Sequence, residues 1–151
     1  IAYVSKRFTQ PEVYIMDVAG SEDGIGQELG KVRNLTRHPA RDEGPTWSPD
    51  GRFIAFVSDR EGARNLYVVP STGGQTRRIG TLPVQAGPAR WSTDGSWLAY
   101  VGGNKEDQRI QLVSADGQNT GMMGWDRGEM TELQWMPSIA LDGSGAMEMT
   151  Q

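Results

Sequence analysis

Aspartate followed directly by glycine recurs along this sequence of 151 residues, and such an array of carboxylates could bind a cation. The aspartates of these pairs are Asp23, Asp50, Asp94, Asp116 and Asp142. A calcium loop needs acidic or amide residues at alternating positions before its glycine, so that several oxygens reach one ion. None of the pairs has that spacing. Because Asp and Gly both tolerate the φ values of tight turns, we predict turns here, with no metal site and no bound cofactor.

Catalytic chemistry has few candidate residues. His38 is the single histidine, cysteine is absent, and no serine lies in a Gly-x-Ser-x-Gly sequence. These counts exclude a nucleophile elbow, a two-histidine metal motif and cysteine catalysis within the chain. Gly24-Ile25-Gly26 lacks the lysine and serine of a phosphate-binding loop. We interpret His38 as a solvated loop residue, and we predict no catalytic residue and no enzymatic activity.

The tryptophans could stack on a ligand, but their spacing favours packing for most of them. Trp47, Trp91 and Trp135 follow one another at intervals of 44 residues, as expected for one packing position in successive repeats. Trp97 starts an apolar segment. Trp125 lies outside this spacing, in a polar connection, and exposed aromatic side chains anchor interfaces. We therefore consider Trp125 as a contact with a partner.

The 44-residue interval extends to whole segments. Trp47-Ser48-Pro49-Asp50-Gly51 recurs as Trp91-Ser92-Thr93-Asp94-Gly95, and Ile54–Val57 recurs as Leu98–Val101. The opening segment, Ile1–Val4, precedes its counterpart by 53 residues instead. The excess predicts an insertion, residues 21–29, in the first unit.

Each complete unit is predicted to contain four short strands, of which the second is apolar on both faces and the fourth is polar. The predicted strands are 1–4, 13–16 and 34–36 in the first unit, 44–48, 53–58, 65–70 and 76–80 in the second, and 88–92, 97–101, 109–114 and 120–124 in the third. Four strands every 44 residues are typical of β-propeller blades.

Two segments carry a family resemblance: Pro45–Arg60, which contains Trp-Ser-Pro-Asp-Gly, and Asn65–Val69. They resemble the TolB-type, WD-like β-propeller repeat, which also occurs in the propellers of tricorn-type and prolyl-oligopeptidase-type peptidases. The resemblance implies an all-β fold with blades of four antiparallel strands, and a periplasmic or other extracytoplasmic location. We count about three blades' worth of strands, hence a partial propeller or half of a six-bladed ring.

The chain is interpreted as a single propeller segment. Its predicted divisions are units 1–43 (with the insertion 21–29), 44–85 and 86–128, the start of a further blade at 129–137, and an irregular tail at 138–151. Because blades bury their faces only against neighbours, we expect a homodimer or the remaining blades of a longer parent. In the dimer, the strand near Met130–Trp135 would supply the missing first strand of the partner's first blade.

Charge and hydropathy narrow the possible partners. The chain has 15 basic and 19 acidic residues, for a net charge of −4, whereas nucleic-acid-binding domains are usually basic. No apolar run approaches the roughly 18 residues of a membrane helix. We predict a protein or peptide partner, no nucleic acid and no membrane insertion.

In a propeller, the loops between second and third strands share one face with the connections between blades. Here both sets carry charges of mixed sign, which suits a polar protein interface. The candidate partner-binding residues are Arg7, Arg41, Arg60, Lys105, Trp125, Asp126 and Arg127.

Three functions are compatible with these features. The first is a non-enzymatic scaffold for protein–protein interaction, similar to TolB. The second is a substrate-gating propeller segment of a peptidase whose catalytic domain lies outside this chain. The third is a repeat fragment whose only property is assembly.

Overall fold

The computed structural model describes residues 1–6, 9–18, 29–104, 106–123, 134–135 and 147–148, and within them the chain is all-β. The strands are β1 (Ala2–Ser5), β2 (Glu12–Val18), β3 (Leu29–Asn34), β4 (Asp42–Trp47), β5 (Phe53–Ser58), β6 (Asn65–Pro70), β7 (Arg77–Arg78), β8 (Val84–Trp91), β9 (Trp97–Gly103), β10 (Gln108–Ser114), β11 (Thr120–Met123), β12 (Gln134–Trp135) and β13 (Met147–Glu148). Antiparallel sheets form from β1–β3, from β4–β7 and from β8–β11, and β12 pairs with β13. The predicted propeller architecture is confirmed. No helix suited to crossing a membrane occurs in these ranges.

The apolar core lies between the sheets, and β5 shows why its sequence is apolar without interruption. Ile54 and Phe56 pack against residues of the first sheet, while Ala55 and Val57 pack against residues of the third. All four side chains are at most 2% exposed. A strand covered on both faces needs apolar residues at every position rather than at alternate ones. Burial of each large side chain contributes about 1.5–3 kcal/mol, so the second blade is held on both of its faces.

The innermost strands of the second and third blades contain bulges. The register of β4 against β5 shifts between Glu43 and Thr46, where Gly44 has a φ of 59°. A Cβ atom on Gly44 would lie 3.1 Å from the Cβ of Pro88. Glycine therefore allows both the left-handed backbone and the close approach of β4 to β8.

Strand boundaries differ from the predicted ones in all three blades: β8 begins at Val84 rather than at residue 88, β7 contains only Arg77 and Arg78, and the first blade differs as well. Its last strand, β3, ends at Asn34, whereas the sequence pattern predicts residues 34–36. Lys31 and Val32 are both exposed on this outer strand, and an edge strand without regular alternation gives a weak sequence signal. Leu29, the last residue of the predicted insertion, pairs with Val18 and so belongs to β3. Residues 21–28 lie outside the described residues. The strand β13 occurs in the segment predicted to be irregular.

Candidate interaction face

The loops between second and third strands and the connections between blades lie at one end of the sheets. We call this end the loop face; it comprises the described residues within 6–12, 35–43, 59–64, 79–83 and 103–108. The opposite end, residues 48–52, 71–76, 92–96 and 115–119, is called the turn face. The backbone hydrogen bonds that join neighbouring loops are Asp42 N–Pro11 O at 2.9 Å, Val84 N–Arg64 O at 2.6 Å and Gly103 N–Pro83 O at 3.0 Å. The loop face is therefore continuous across the three blades.

A buried ion pair anchors the loop face of the second blade. The carboxylate of Asp42 is completely buried, and Arg60 Nη2 lies 3.2 Å and 3.3 Å from its two oxygens. Arg60 Nε donates to Ser58 Oγ at 3.0 Å. The guanidinium carbon lies 5.2 Å from the ring centroid of Phe56 and 4.8 Å from that of Tyr67, a cation–π arrangement. Only 13% of the Arg60 side chain is exposed, so the structure places this candidate contact inside the blade.

The internal repeat carries a signal for this role of Arg60. Tyr3 and Tyr14 stack with centroids 5.9 Å apart and an interplanar angle of 25°, close to the 5.9 Å and 28° of Phe56–Tyr67. The same 53-residue spacing relates Arg7 to Arg60, although Arg7 lies outside the described residues. An arginine repeated together with the aromatic pair beneath it is typical of a structural position.

Exposed charges surround Arg41. Its side chain is 56% exposed, and its Nη2 lies 2.6 Å from Glu43 Oε1, while Arg64 Nη2 lies 3.7 Å from Glu43 Oε2. The backbone N–H of Arg41 donates to Asp59 Oδ1 at 2.9 Å. The hydrogen bond and the charge of Glu43 raise the pKa of Arg41 above its ordinary value. These residues line a pocket of about 140 Å³, which Val57 and Ser58 complete. Arg41, Glu43 and Arg64 thus present positive and negative charges to solvent, and their ion pairs hold these charges next to each other.

The remaining sequence candidates, Lys105, Trp125, Asp126 and Arg127, also lie outside the described residues. Of the two candidate contacts within the described residues, Arg41 is therefore exposed and Arg60 is largely buried.

On the turn face, the Asp-Gly pairs at Asp50, Asp94 and Asp116 form turns, as predicted, while the pairs at Asp23 and Asp142 lie outside the described residues. The serine Oγ donates to the aspartate Oδ1 at 2.6 Å in Ser48–Asp50, 2.6 Å in Ser92–Asp94 and 2.5 Å in Ser114–Asp116. Each Oδ1 also accepts a backbone N–H two residues later at 3.0 Å. The glycines Gly51, Gly95 and Gly117 have φ values of 70°, 74° and 76°.

These hydrogen bonds stabilise the ionised aspartates. Bonds from Ser92 and Ser96 lower the pKa of Asp94 to about 2. The equivalent serine bonds lower the pKa values of Asp50 and Asp116 as well. Within the described ranges, no three His, Cys, Asp or Glu side chains form a group that could hold a metal ion. The Oδ1 atom of each of these carboxylates accepts hydrogen bonds within its own turn.

The tryptophans at equivalent positions differ in their contacts. Trp91 Nε1 donates to Thr46 O of the preceding blade at 3.1 Å, so this indole joins two blades as the repeat predicts. Trp47 is 37% exposed. Trp97 is half-buried at the start of β9, while the side chain of Trp135 lies outside the described residues.

Comparisons with known proteins add to this geometry. The profile of the family described as the TolB beta propeller domain matches residues 1–149. The Tol-Pal system protein TolB of Bordetella pertussis is 36% identical over 63 residues, which are 42% of this chain and 13% of that protein. A Bacillus subtilis protein named as the uncharacterized peptidase YuxL is 47% identical over 49 residues, which are 32% of this chain and 8% of that protein. The chain thus spans only a small part of the curated relatives that it matches.

Solved structures show the same architecture. A TolB protein from Agrobacterium tumefaciens superimposes with a TM-score of 0.64 and 28% identity, covering 80% of this chain and 43% of the other. TolB from Acinetobacter baumannii gives a TM-score of 0.64 at 20% identity over 79% of this chain and 28% of the other; this second likeness concerns the fold alone.

Proposed function

This chain belongs to the TolB β-propeller domain family, and from that premise we propose that it is a non-enzymatic scaffold whose loop face binds a protein partner. We further propose an extracytoplasmic location, which the family resemblance implies. The exposed cluster of Arg41, Glu43 and Arg64 is the observation that carries the assignment to this face.

The contrast between the two ends of the blades supports the loop face. The turn face repeats one serine–aspartate arrangement in three turns, each satisfied by its own residues. The loop face carries different charged residues in each blade. Residues that recur between blades serve the fold, whereas residues that differ between blades are available to distinguish one partner from another. A polar rim of mixed charge gives specificity and fast association rather than a large apolar contact area.

Site-specific photo-crosslinking in the cells that make the protein tests this proposal. A photoreactive amino acid at Arg41 should give a discrete protein adduct, because this side chain points to solvent on the proposed face. The matched control is the same substitution at Arg52, an arginine on the turn face. Adducts that form at Arg52 and never at Arg41 would contradict the proposal.

A second function is a substrate-gating segment of a peptidase whose catalytic domain lies elsewhere. The match to the peptidase-named protein of Bacillus subtilis favours this function over that of a fragment that only assembles. Whether it is a scaffold or a gating segment, the chain alone should not hydrolyse peptide or ester substrates. Turnover that disappears on changing Ser58 or His38 would contradict the non-enzymatic assignment.

Assembly with further blades is also part of the proposal. Exposed apolar side chains occur in the first blade, at Ile1, Val4 and Val18, and in the third blade, at Met122 and Met123. Each of these blades has a neighbour within the chain on one side, so a second copy of the chain, or further blades of a longer parent, would cover the other side. We expect the isolated chain to sediment as a dimer or not to fold independently, and a well-folded monomer at micromolar concentration would contradict this expectation.

A further inference from the structure

A second pocket on the loop face lies in a corner between the first blade and its connection to the second. Its volume is about 360 Å³. Its lining residues are Thr9, Gln10, Glu12, Asn34, Arg37, His38 and Pro39. We infer that this pocket is a subsite for a carboxylate group of the partner polypeptide, an inference that rests on the proposed function of the loop face.

The backbone around the pocket is fixed by hydrogen bonds to Asn34. Its Oδ1 accepts the backbone N–H of Arg37 at 3.0 Å, and its carbonyl oxygen accepts Arg37 Nε at 3.3 Å. Arg37 has a φ of 42°, the one positive value of a non-glycine residue among the described residues. This conformation costs free energy for a side chain without special local bonding. The arginine is thus held in place before any ligand arrives.

Two side chains that line the pocket, Arg37 and His38, carry N–H groups that can donate hydrogen bonds to a ligand. His38 Nδ1 accepts the backbone N–H of Ala40 at 3.1 Å, so the proton of the neutral ring lies on Nε2. In the described part of the chain, neither His38 Nε2 nor the terminal nitrogens of Arg37 have a hydrogen-bond partner. One oxygen of the acidic lining residue is engaged within the chain: Glu12 Oε2 accepts Asn34 Nδ2 at 2.6 Å and the hydroxyl of Tyr14 at 3.3 Å. A carboxylate is the group that an unpaired guanidinium and an imidazole N–H bind together.

Arg37 stands apart from most other cations of the loop face. Arg41 and Arg64 share Glu43, and Arg60 has Asp42. Arg109 has Asp107. Among the described residues of this face, Arg37 and Lys6 have no carboxylate partner, and both lie at the first blade. Among the described residues, Arg37 is therefore a cation of this pocket without an ion pair, while Glu12, which lines the same pocket, accepts hydrogen bonds from neutral groups.

The internal repeat indicates that the fold does not require this corner. The 44-residue spacing places Arg78, Thr81 and Leu82 at the positions of Asn34, Arg37 and His38 in the next blade, and Pro83 at the position of Pro39. Only the proline is repeated. A blade of the same shape is built without the arginine and the histidine, which frees both residues for binding.

The test uses His38 as its reporter, because the ring of a single histidine gives unambiguous NMR signals. The full chain is titrated with acetyl-Gly-Glu-Glu-Gly-amide, with its Gln-Gln and Lys-Lys counterparts, and with acetyl-Gly-Gly-Gly carrying a free carboxyl terminus. The Glu-Glu peptide or the free-terminus peptide should shift the His38 signals, and the comparison tells a side-chain carboxylate from a terminal one. Equal shifts from the Gln-Gln peptide, or larger ones from the Lys-Lys peptide, would overturn the inference.

The variant that tests the contact is Arg37→Asn, since asparagine tolerates the left-handed backbone. The dissociation constant of the carboxylate peptide should rise about fivefold, the upper range for one exposed charge pair. Arg52→Asn on the turn face removes the same charge and should leave binding unchanged. Equal losses in both variants would show an effect of net charge and refute the subsite. If crosslinking at Arg41 succeeds while the peptides do not bind, this inference fails and the proposed function stands.

Discussion

Replacing Asp42 with alanine should destabilise the chain far more than any change at an exposed carboxylate. The Asp42 carboxylate is completely buried, and Arg60 supplies its charge partner at 3.2 Å. Breaking a buried ion pair by removing one partner costs about 3–5 kcal/mol, because the other charge remains desolvated. The Arg60 side chain retains 13% exposure and can turn partly toward water. We therefore expect a loss of about 3 kcal/mol, at the lower end of that range.

The neighbouring residue provides a matched control. Glu43 also pairs with arginines, but its side chain is 33% exposed, and such pairs contribute about 0–1 kcal/mol. Urea unfolding at pH 7, followed by tryptophan fluorescence, gives the free energy of unfolding of the parent, Asp42→Ala and Glu43→Ala. Equal losses for the two variants would refute the assignment of a buried, stabilising pair.

The third blade supplies a rescue variant. Its residues at the positions of Asp42 and Arg60 are Ala86 and Asn104, so that blade forms without an ion pair at these two positions. The double variant Asp42→Ala/Arg60→Asn removes the desolvated charge together with its partner. It should therefore recover at least part of the stability that Asp42→Ala loses. A double variant less stable than Asp42→Ala would contradict this explanation.

Three further predictions concern the turn face, the blade contact and the insertion. The pKa of Asp94 is about 2 in the folded chain, so its contribution to stability is complete above the unfolded value near 3.9 and is lost as the pH falls toward 2. In Asp94→Asn, the decrease of the free energy of unfolding over that range should be smaller by about 1 kcal/mol, after allowance for solvent screening. Trp91→Phe removes the bond to Thr46 O and should cost about 1 kcal/mol in the same assay, whereas Trp47→Phe should cost less. Deleting residues 21–28, which spares Leu29, should leave the melting temperature within a few degrees because loop-closure entropy depends weakly on length, and a large loss of stability would show that the insertion packs on the blades.

The repeat made the second and third blades predictable from sequence. The continuous apolar segment Ile54–Val57 lies between two blades, and its counterpart Leu98–Val101 is a buried strand in the third sheet. The turns at Asp50 and Asp94 follow from local chemistry that acts within five residues. Both signals come from residues that are close together in the sequence, and neither depends on distant contacts.

Long-range contacts were harder to predict. The repeat relates Arg60 to Arg7, but the sequence does not show that Arg60 lies over Phe56 and pairs with Asp42, 18 residues away. The pocket at Arg37 likewise depends on a turn held by Asn34 and on Glu12 from another strand. Such sites are set by which loops meet at one end of the sheets, and that information is absent from local spacing.

The affinity of the partner captured at Arg41 tests the central claim most directly. Its dissociation constant is measured by titration calorimetry for the parent chain, for Arg41→Glu on the loop face and for Arg52→Glu on the turn face, which make the same change of charge. Arg41→Glu places a negative charge next to Glu43 and Asp59 on the loop face. Binding should weaken at least about tenfold, since like charges across an interface cost several kcal/mol. Arg52→Glu should bind as the parent does. Unchanged binding by Arg41→Glu, together with a loss in Arg52→Glu, would show that the partner binds the opposite end of the blades.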